Sequence, residues 1–179
     1  MNLVPITKNL HEKLQIFCDK CKKLNYINNV SFKSMKLEWC KNWGEFFCII
    51  HEKEIISVAG CHPLPEVSSN AWRIFFRSCD IPKTVIHKGL HKGTNHKARL
   101  YINKFIEYCP TNELYVTSNI DNKKYKEIVR NNKTLHLISK QKNPILENVG
   151  EIKLYDTNQT IWKLNIDIFQ KKYEKYKDT

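Results

Sequence analysis

The stretch that most constrains the fold lies at residues 71–119, where a strand, a basic loop, a helix and a second strand follow one another. The pattern AWRIFF predicts the first strand, which runs to about residue 79, and ELYVTSN (113–119) predicts the second. Between them, residues 83–97 hold four Lys, three His and two Gly, with little apolar bulk. A helix is predicted at about 95–108, capped by Thr94 or Asn95, with an apolar face formed by Ala98, Ile102, Phe105 and Ile106.

This loop has the composition of a phosphate-binding segment. Glycines let the backbone N–H groups approach an anion, and a helix N-terminus carries positive partial charge. The alternative interpretation is a solvated loop whose lysines bind nothing.

Length and composition predict one globular domain over residues 1–179, since 179 residues with 41% hydrophobic content can bury a core. Residues 166–179 are predicted to be a basic C-terminal tail, a frayed helix on the surface. The first residues lack the order of charged, apolar and small residues of a signal peptide, and the longest apolar run, 46–50, is too short to span a bilayer. We therefore expect no membrane association and a cytoplasmic location.

The seven cysteines show no disulfide framework, so we expect reduced thiols. Cys18 and Cys21 form a C-x-x-C pair, and Cys61-His62 is a further half-site, but no second pair follows at zinc-ligand spacing. We expect buried thiols and no metal. A zinc-stabilised nucleic-acid binder built on Cys18 and Cys21 is the alternative, which metal analysis would test.

The net charge of +12, from thirty Lys and Arg against eighteen Asp and Glu, predicts attraction to a polyanion such as nucleic acid. Only four of the thirty are Arg, the residue that contacts guanine edges with two hydrogen bonds. Non-specific phosphate contact is therefore favoured over sequence recognition. A general excess of Lys and Asn in the composition is the alternative source of the charge.

The spacing of apolar residues predicts the other elements. Amphipathic helices are predicted at 8–24, at 32–43 and, after a cap at Asp121, through Arg130 with Tyr125 facing inward. Strands are predicted at 3–6, 45–50, 55–61, 134–140, 151–156 and 159–165, with a loop at 62–70 and a loop or irregular segment at 141–150. Short turns make 45–50, 55–61 and 71–79 an antiparallel meander, whereas the long crossover makes 113–119 parallel to 71–79. We predict an α/β (or α+β) fold with one mixed, mostly antiparallel central sheet flanked by helices.

This arrangement resembles the GNAT acyltransferase superfamily along nearly the whole chain. The resemblance rests on the helices before a three-strand meander, the loop and helix after it, the polar strand end YVTSN (115–119) and the helix holding Tyr125. It is nearest to divergent, phage-type members, which have a basic Asn-His segment and a late Gln-Thr-x-Trp strand, here TNHKA (94–98) and QTIW (159–162). The chain lacks a clean copy of the family motif Arg/Gln-x-x-Gly-x-Gly/Ala. For a phage protein the location would be the cytoplasm of the infected host.

The resemblance implies an acyl-coenzyme A dependent N-acyltransferase that moves an acetyl or other small acyl group to an amine. It assigns the coenzyme A pyrophosphate to the basic loop, namely to Lys88, Gly89, Lys92, Gly93, Thr94, Asn95 and His96. The acyl group would lie where the strand ends at Arg77 and Cys79, opposite the polar strand end at Asn119. Tyr125 is the candidate acid for the departing thiolate, and Glu66 or Asp80 is the candidate base for the amine.

Each of these assignments has a structural alternative. Tyr125 can be a packing residue of its helix, and Glu66 and Asp80 can be ordinary loop carboxylates. Trp72 and Trp162 are expected in the core. For the whole chain, the alternative is a non-catalytic, GNAT-shaped basic module that binds nucleic acid or an acidic protein, or a relative that modifies DNA.

Overall fold

The computed structural model describes residues 2–23, 45–79, 96–121, 126–154 and 156–173. The described strands are β1 (Asn2–Pro5), β2 (Glu45–His51), β3 (Glu54–Pro63), β4 (Trp72–Cys79), β5 (Leu114–Asn119), β6 (Leu146–Leu154) and β7 (Thr157–Leu164). The described helices are α1 (His11–Lys23), α2 (His96–Tyr108), α3 (Lys126–Ser139) and α4 (Ile166–Tyr173), and a short 3-10 helix (Lys8–Leu10) precedes α1. The predicted helix at 32–43 and the loop at 80–95 lie outside the described residues.

The strands form one seven-stranded sheet in the order β1-β2-β3-β4-β5-β7-β6. The pairs β1–β2, β2–β3, β5–β7 and β6–β7 are antiparallel. The predicted fold class, a mostly antiparallel sheet with flanking helices, is confirmed. The predicted neighbourhood of strands 71–79 and 113–119 is confirmed as well, because β5 lies beside β4.

The chain divides into two compact units. Unit 1 comprises Met1–Pro63 and Ile74–Tyr108, and unit 2 comprises Leu64–Arg73 and Cys109–Thr179. The prediction of a single domain stays a prediction. Within the described residues, no helix is both long enough and apolar enough to cross a membrane.

Helix α1 of unit 1 packs on β3 through the apolar stripe that its sequence predicts. Leu14 and Phe17 are three residues apart, so they lie on one face of the helix. Both are buried in a cluster whose other buried members are Phe46, Cys48, Ile55 and Val58. One face of the helix and side chains of β2 and β3 therefore meet in one core.

Helix α2 supplies two of the largest fully buried side chains among the described residues of unit 1. Tyr101 and Phe105 are fully buried, and their rings stack with centroids 6.1 Å apart. Phe105 also meets Phe47 of β2 edge to face at 5.8 Å. The predicted apolar face is confirmed at Ile102 and Phe105, and Ile106 is half-buried.

The core of unit 2 is built around β7, which hydrogen-bonds β5 on one side and β6 on the other. β7 is buried from Gln159 through Trp162, as expected of a strand with partners on both sides. An apolar cluster lies on one face and consists of Leu64, Ala71, Tyr115, Leu154 and Ile161. Trp162 is buried, as predicted, and Trp72 is half-buried.

The predicted strand at 134–140 is wrong, because these residues continue α3 to Ser139. The partly buried positions Asn132, Leu135 and Ile138 recur every three residues, whereas Leu137 is 67% exposed. A short apolar run fits both periodicities, so sequence spacing cannot separate strand from helix here. Extending an existing helix fixes only one further residue per hydrogen bond, so continuation is favoured over a new element.

Strand β6 starts at Leu146, within the predicted loop or irregular segment at 141–150, so that prediction is wrong from Leu146 onward. The pairing with β7 shifts between Asn148 and Gly150, so Val149 is an extra residue in a β-bulge. Gly150 has a φ of 125°, and its N–H donates to the side chain of Asn148 at 3.0 Å. Asn148 and Gly150, which form the bulge, are residue types that are also typical of loops, and for this reason the composition predicted a loop.

Three further boundaries differ from the predictions. The β6–β7 register ends at Leu154↔Thr157, so the turn precedes residue 157, and Asp156 has a φ of 60°. Strand β3 extends to Pro63, two residues past the predicted end. The helix predicted in the C-terminal tail is confirmed over Ile166–Tyr173, but it does not simply lie on the surface, since Phe169 is 1% exposed.

Candidate functional site

Most of the predicted coenzyme-binding and catalytic residues lie outside the described residues. These are Asp80, Lys88, Gly89, Lys92, Gly93, Thr94, Asn95 and Tyr125. The structure describes the backbone on both sides of the basic loop: Arg77 and Cys79 are in the last three residues of β4, and His96 is the first residue of α2. The loop therefore joins the end of a strand to the start of a helix, as predicted.

The connection between β3 and β4 carries Glu66, the predicted base. The connection is closed by a hydrogen bond from the N–H of Leu64 to the carbonyl of Ala71 at 2.7 Å. The hydroxyl of Ser68 donates to a carboxylate oxygen of Glu113 at 2.6 Å, which ties the connection to the residue before β5. Glu66 is exposed, and within the described residues its carboxylate forms no hydrogen bond or ion pair.

Asn119, predicted to bind the coenzyme, ends β5 and organises the chain that follows. Its side-chain oxygen accepts a hydrogen bond from the N–H of Asp121 at 2.9 Å, which is an Asx turn. Its backbone carbonyl accepts one from Nδ2 of Asn132 on α3, also at 2.9 Å. Oδ1 of Asn132 accepts a hydrogen bond from the hydroxyl of Ser118. The end of β5 is thus held by its own side chain and by α3.

Asp121, the predicted cap, contacts β7, whereas residues 122–125 that follow it lie outside the described residues. One carboxylate oxygen of Asp121 accepts a hydrogen bond from the N–H of Asn158 at 2.7 Å, and the other accepts one from Nδ2 of Asn158 at 3.2 Å. The carbonyl of Asn158 in turn accepts one from the N–H of Ile120 at 3.0 Å. Asp121 therefore fixes the segment after β5 against the start of β7.

Gln159 of β7 is the centre of a buried polar cluster that sequence reasoning did not include among the site residues. Its Oε1 accepts hydrogen bonds from the hydroxyl of Thr117 on β5 at 2.8 Å and from Nη2 of Arg73 on β4 at 3.3 Å. Its Nε2 donates to the hydroxyl of Thr157 at 3.2 Å and to the carbonyl of Leu154 at 3.5 Å. Gln159 is only 5% exposed. All four hydrogen-bonding positions of its amide are used, so the amide has one orientation.

This cluster can hold a guanidinium in a fixed position beside β5. Arg73 is half-buried, and a hydrogen bond to a fixed amide restricts the rotamers it can adopt. Fixed donors in a partly buried place stabilise developing negative charge without reorganising. The motif QTIW (159–162) could have indicated this cluster, because a glutamine within a strand that is predicted to be buried must find hydrogen-bond partners.

Thiol and metal chemistry have little support among the described side chains. Cys48, Cys61 and Cys109 are buried and reduced, and burial raises the pKa of the Cys48 thiol to about 12, which disfavours a nucleophilic thiolate. Among the described side chains, no group of three His, Cys, Asp or Glu residues could hold a metal ion. Cys18 and Cys21 lie on α1, with side chains outside the described set.

By sequence, no family model matches the chain, and no curated protein matches it either. Solved structures do match it in fold. An aminoglycoside acetyltransferase in complex with coenzyme A and kanamycin has a TM-score of 0.60 at 10% identity, covering 95% of this chain and 97% of that one. A GNAT-family acetyltransferase from Desulfovibrio desulfuricans has a TM-score of 0.58 at 7% identity, with 91% and 98% covered. An N-acyl amino acid synthase from uncultured soil microbes has a TM-score of 0.55 at 8% identity, with 96% and 98% covered.

These matches extend over nearly all of each chain. At such low identity they establish the architecture alone. The chain therefore has the GNAT fold.

Proposed function

We propose that this protein is an acyl-coenzyme A dependent N-acyltransferase, which moves an acetyl or other small acyl group from a thioester to an amine. The observation that carries the proposal is the likeness in fold, over at least nine-tenths of the chain, to an acetyltransferase bound to coenzyme A and to an N-acyl amino acid synthase. The shared chemistry of these proteins is acyl transfer to nitrogen. The acyl donor is a substrate here, and no metal is required.

The donor would bind where β4 ends and α2 begins. We assign the pyrophosphate to the backbone N–H groups of Gly89, Gly93, Thr94 and Asn95, with Lys88 and Lys92 as point charges and His96 as a further donor. The fit is supported by the start of α2 at His96, because the first-turn N–H groups of a helix carry positive partial charge. The first turn of α2 contains no acidic residue that would repel a phosphate. The backbone at Arg77 and Cys79 would hold the acyl end.

The proton transfers need one base and one acid. Glu66 or Asp80 would accept a proton from the amine, directly or through water, and Tyr125 would protonate the departing thiolate. For Glu66 the proposal is supported by its exposed carboxylate, which no described side chain engages, on a connection tied down by Ser68.

Two measurements test the proposal. Calorimetric titration of the purified protein with acetyl-coenzyme A should show saturable binding. A thiol-release assay with a panel of amines, comprising an aminoglycoside, amino acids, a polyamine and a peptide N-terminus, should show turnover with at least one class. Absence of both binding and thiol release would overturn the proposal. Binding without release from any amine would instead favour a GNAT-shaped binding protein.

Nucleic-acid binding without catalysis is the second candidate. The net charge of +12 favours it, because cationic surfaces attract phosphate backbones at low salt. It predicts retention on duplex DNA with no thiol release in the assay above.

A further inference from the structure

A cavity of about 300 Å³ lies at one end of unit 2, where β7 ends and α4 begins. The charged and amide side chains among its lining residues come from four parts of the chain: Asn112 before β5, Glu147 of β6, Lys163 of β7, and Asn165 and Asp167 at the start of α4. Strand β5 starts two residues after Asn112 and ends at Asn119, so it spans about 17 Å. The cavity therefore lies at the opposite end of β5 from Asn119, the residue predicted to bind the coenzyme.

Two opposite charges face each other in this cavity without pairing. Lys163 of β7 is directly opposite Glu147 of β6 on one side and Tyr115 of β5 on the other. Side chains that are directly opposite across antiparallel strands have Cβ atoms about 5 Å apart, close enough for an ion pair. Among the described side chains, however, Lys163 and Glu147 form no ion pair, and Nζ of Lys163 lies 6.0 Å from the centre of the Tyr115 ring. The ammonium group is thus turned toward β5, which keeps the positive and negative groups of the cavity apart.

Backbone donors add to the positive side of the cavity. The side-chain oxygen of Asn165 accepts a hydrogen bond from the N–H of Ile168 at 3.1 Å. The N–H groups of Ile166 and Asp167, which also line the cavity, form no hydrogen bond within the described residues. Together with the ammonium group of Lys163, they offer donors to one anionic group, such as a carboxylate.

The carboxylates of Glu147 and Asp167 give the cavity two negative groups. Both side chains are exposed, and within the described residues neither takes part in an ion pair or a hydrogen bond. A phosphate would be repelled by both carboxylates, and a simple amine would leave Lys163 without an anionic partner. A ligand with one carboxylate and two cationic groups complements all three charged side chains.

We propose that this cavity binds a free amino acid with a cationic side chain. The carboxylate of the ligand would lie at Lys163 and at the N–H groups of Ile166 and Asp167, and its two cationic groups would lie at the carboxylates of Glu147 and Asp167. A cavity of about 300 Å³ is at the lower end of the range for small-ligand sites, which suits a molecule of this size. The inference goes beyond acyl transfer and does not depend on it.

The first test compares three ligands of similar length. L-lysine carries all three charges, L-norleucine lacks the side-chain ammonium group, and cadaverine lacks the carboxylate. The isotope-labelled full chain, without any acyl donor, is titrated with each ligand, and the amide resonances of Ile166 and Asp167 are followed. We expect saturable shifts with lysine, and affinities about two- to fivefold weaker for the other two ligands, because each of them lacks a charge pair with the exposed cavity.

Three results of this titration would contradict the proposal. One is the absence of a saturable shift of these amides with lysine. Another is binding of cadaverine as tight as that of lysine, which would indicate a plain amine site. The last is binding of norleucine as tight as that of lysine, which would indicate a site for amino acids without a second cation.

The second test removes one charge of the cavity at a time. Lys163→Met should weaken the binding of lysine and norleucine about two- to fivefold, but not that of cadaverine, which has no carboxylate. Glu147→Gln should weaken lysine binding by a similar factor. The matched controls are Lys153→Met and Glu151→Gln, at exposed positions of β6 that do not line the cavity, and they should bind lysine as the wild type does. Circular dichroism and melting curves verify that each variant is folded, and equal losses in a cavity variant and its control would overturn the proposal.

Discussion

At the scale of single residues, Gln159 joins four strands through one amide. It lies on β7 and bonds to Thr117 of β5, to Arg73 of β4 and to the last residue of β6. A buried amide with all its positions used specifies one arrangement of its neighbours, since any other leaves polar groups unpaired. The cluster therefore fixes both the local register and the position of Arg73.

Gln159→Leu should reduce the free energy of unfolding by about 2–4 kcal/mol, because the hydroxyl of Thr117 and the guanidinium of Arg73 lose a buried acceptor. The measurement is urea denaturation. Ile161→Val, two residues away in the apolar cluster, is the matched control and should cost about 0.5–1.5 kcal/mol from packing alone. Equal losses in the two variants would contradict a special role for the amide.

The buried thiol of Cys48 makes a prediction about pH. Its pKa is about 12 in the folded chain against 9.0 in a model thiol, so the unfolded chain releases the proton first as pH rises. The stabilisation is complete below pH 9 and is lost between pH 9 and 12. From pH 8 to pH 10, this thiol should lower the free energy of unfolding by about 1.4 kcal/mol.

Urea denaturation of wild type and Cys48→Ala at both pH values checks this prediction. Each protein is compared with itself, so any packing loss in the variant cancels. The wild type should lose about 1.4 kcal/mol more than the variant between the two pH values. The same loss in both proteins would show that Cys48 does not titrate as expected.

Tyr125→Phe tests the proposed acid. If Tyr125 protonates the thiolate, turnover should fall about a hundredfold, the lower end for general acids, because a thiolate is already a fair leaving group. Affinity for acetyl-coenzyme A should stay near wild type, since the aromatic ring is kept. Thiol release and calorimetry measure the two quantities. Equal turnover in both proteins would make Tyr125 a packing residue and water the proton donor.

At the scale of elements, the turn between β2 and β3 has a backbone conformation that its two central residues do not favour. Glu52 and Lys53 have φ values of 49° and 68°, the left-handed conformation of a two-residue hairpin turn. Side chains with a Cβ cost free energy there, whereas Asn and Gly tolerate it. The hydrophobic arms of the hairpin, buried in unit 1, impose the turn on these residues.

Glu52→Asn/Lys53→Gly should therefore raise the free energy of unfolding by about 1 kcal/mol. The effect is read as an upward shift of the melting temperature. The matched control is Glu52→Ala/Lys53→Ala, which removes the same charges but keeps a Cβ at both positive φ angles, and it should give no increase. Stabilisation of the same size in the control would attribute the gain to charge.

At the scale of the whole molecule, the net charge of +12 acts on every anionic ligand. Reversing Lys88 and Lys92 to Glu should weaken coenzyme A binding several-fold, because exposed charge pairs contribute roughly 0.2–1 kcal/mol each. The same change at Lys8 and Lys13, outside the proposed loop in sequence, alters the net charge equally and should have a smaller effect. Titration at low salt measures both. An unchanged dissociation constant for the loop variant would remove this loop as the phosphate site.

Local periodicity was enough to predict most of the fold. Three signals come from neighbours in sequence: the stripe of Leu14 and Phe17 on α1, the runs of β-branched and aromatic residues in β2 and β3, and the strand–loop–helix–strand at residues 71–119. Because each element must bury its apolar face, their order narrowed the architecture to one mixed sheet with flanking helices. The resemblance in the order of elements then indicated the GNAT fold.

Tertiary structure decided the features that depend on partners distant in sequence. Residues 134–139 are helical because they extend α3, which packs on β5 and β6. Strand β6 can contain a bulge because its pairing with β7 continues on both sides of it. Gln159 can form its hydrogen bonds to three other strands because the sheet brings β4, β5 and β6 close to it. Sequence determines which side chains an element can bury, whereas only the packed sheet determines which buried polar groups meet, since each hydrogen bond there needs both partners in place.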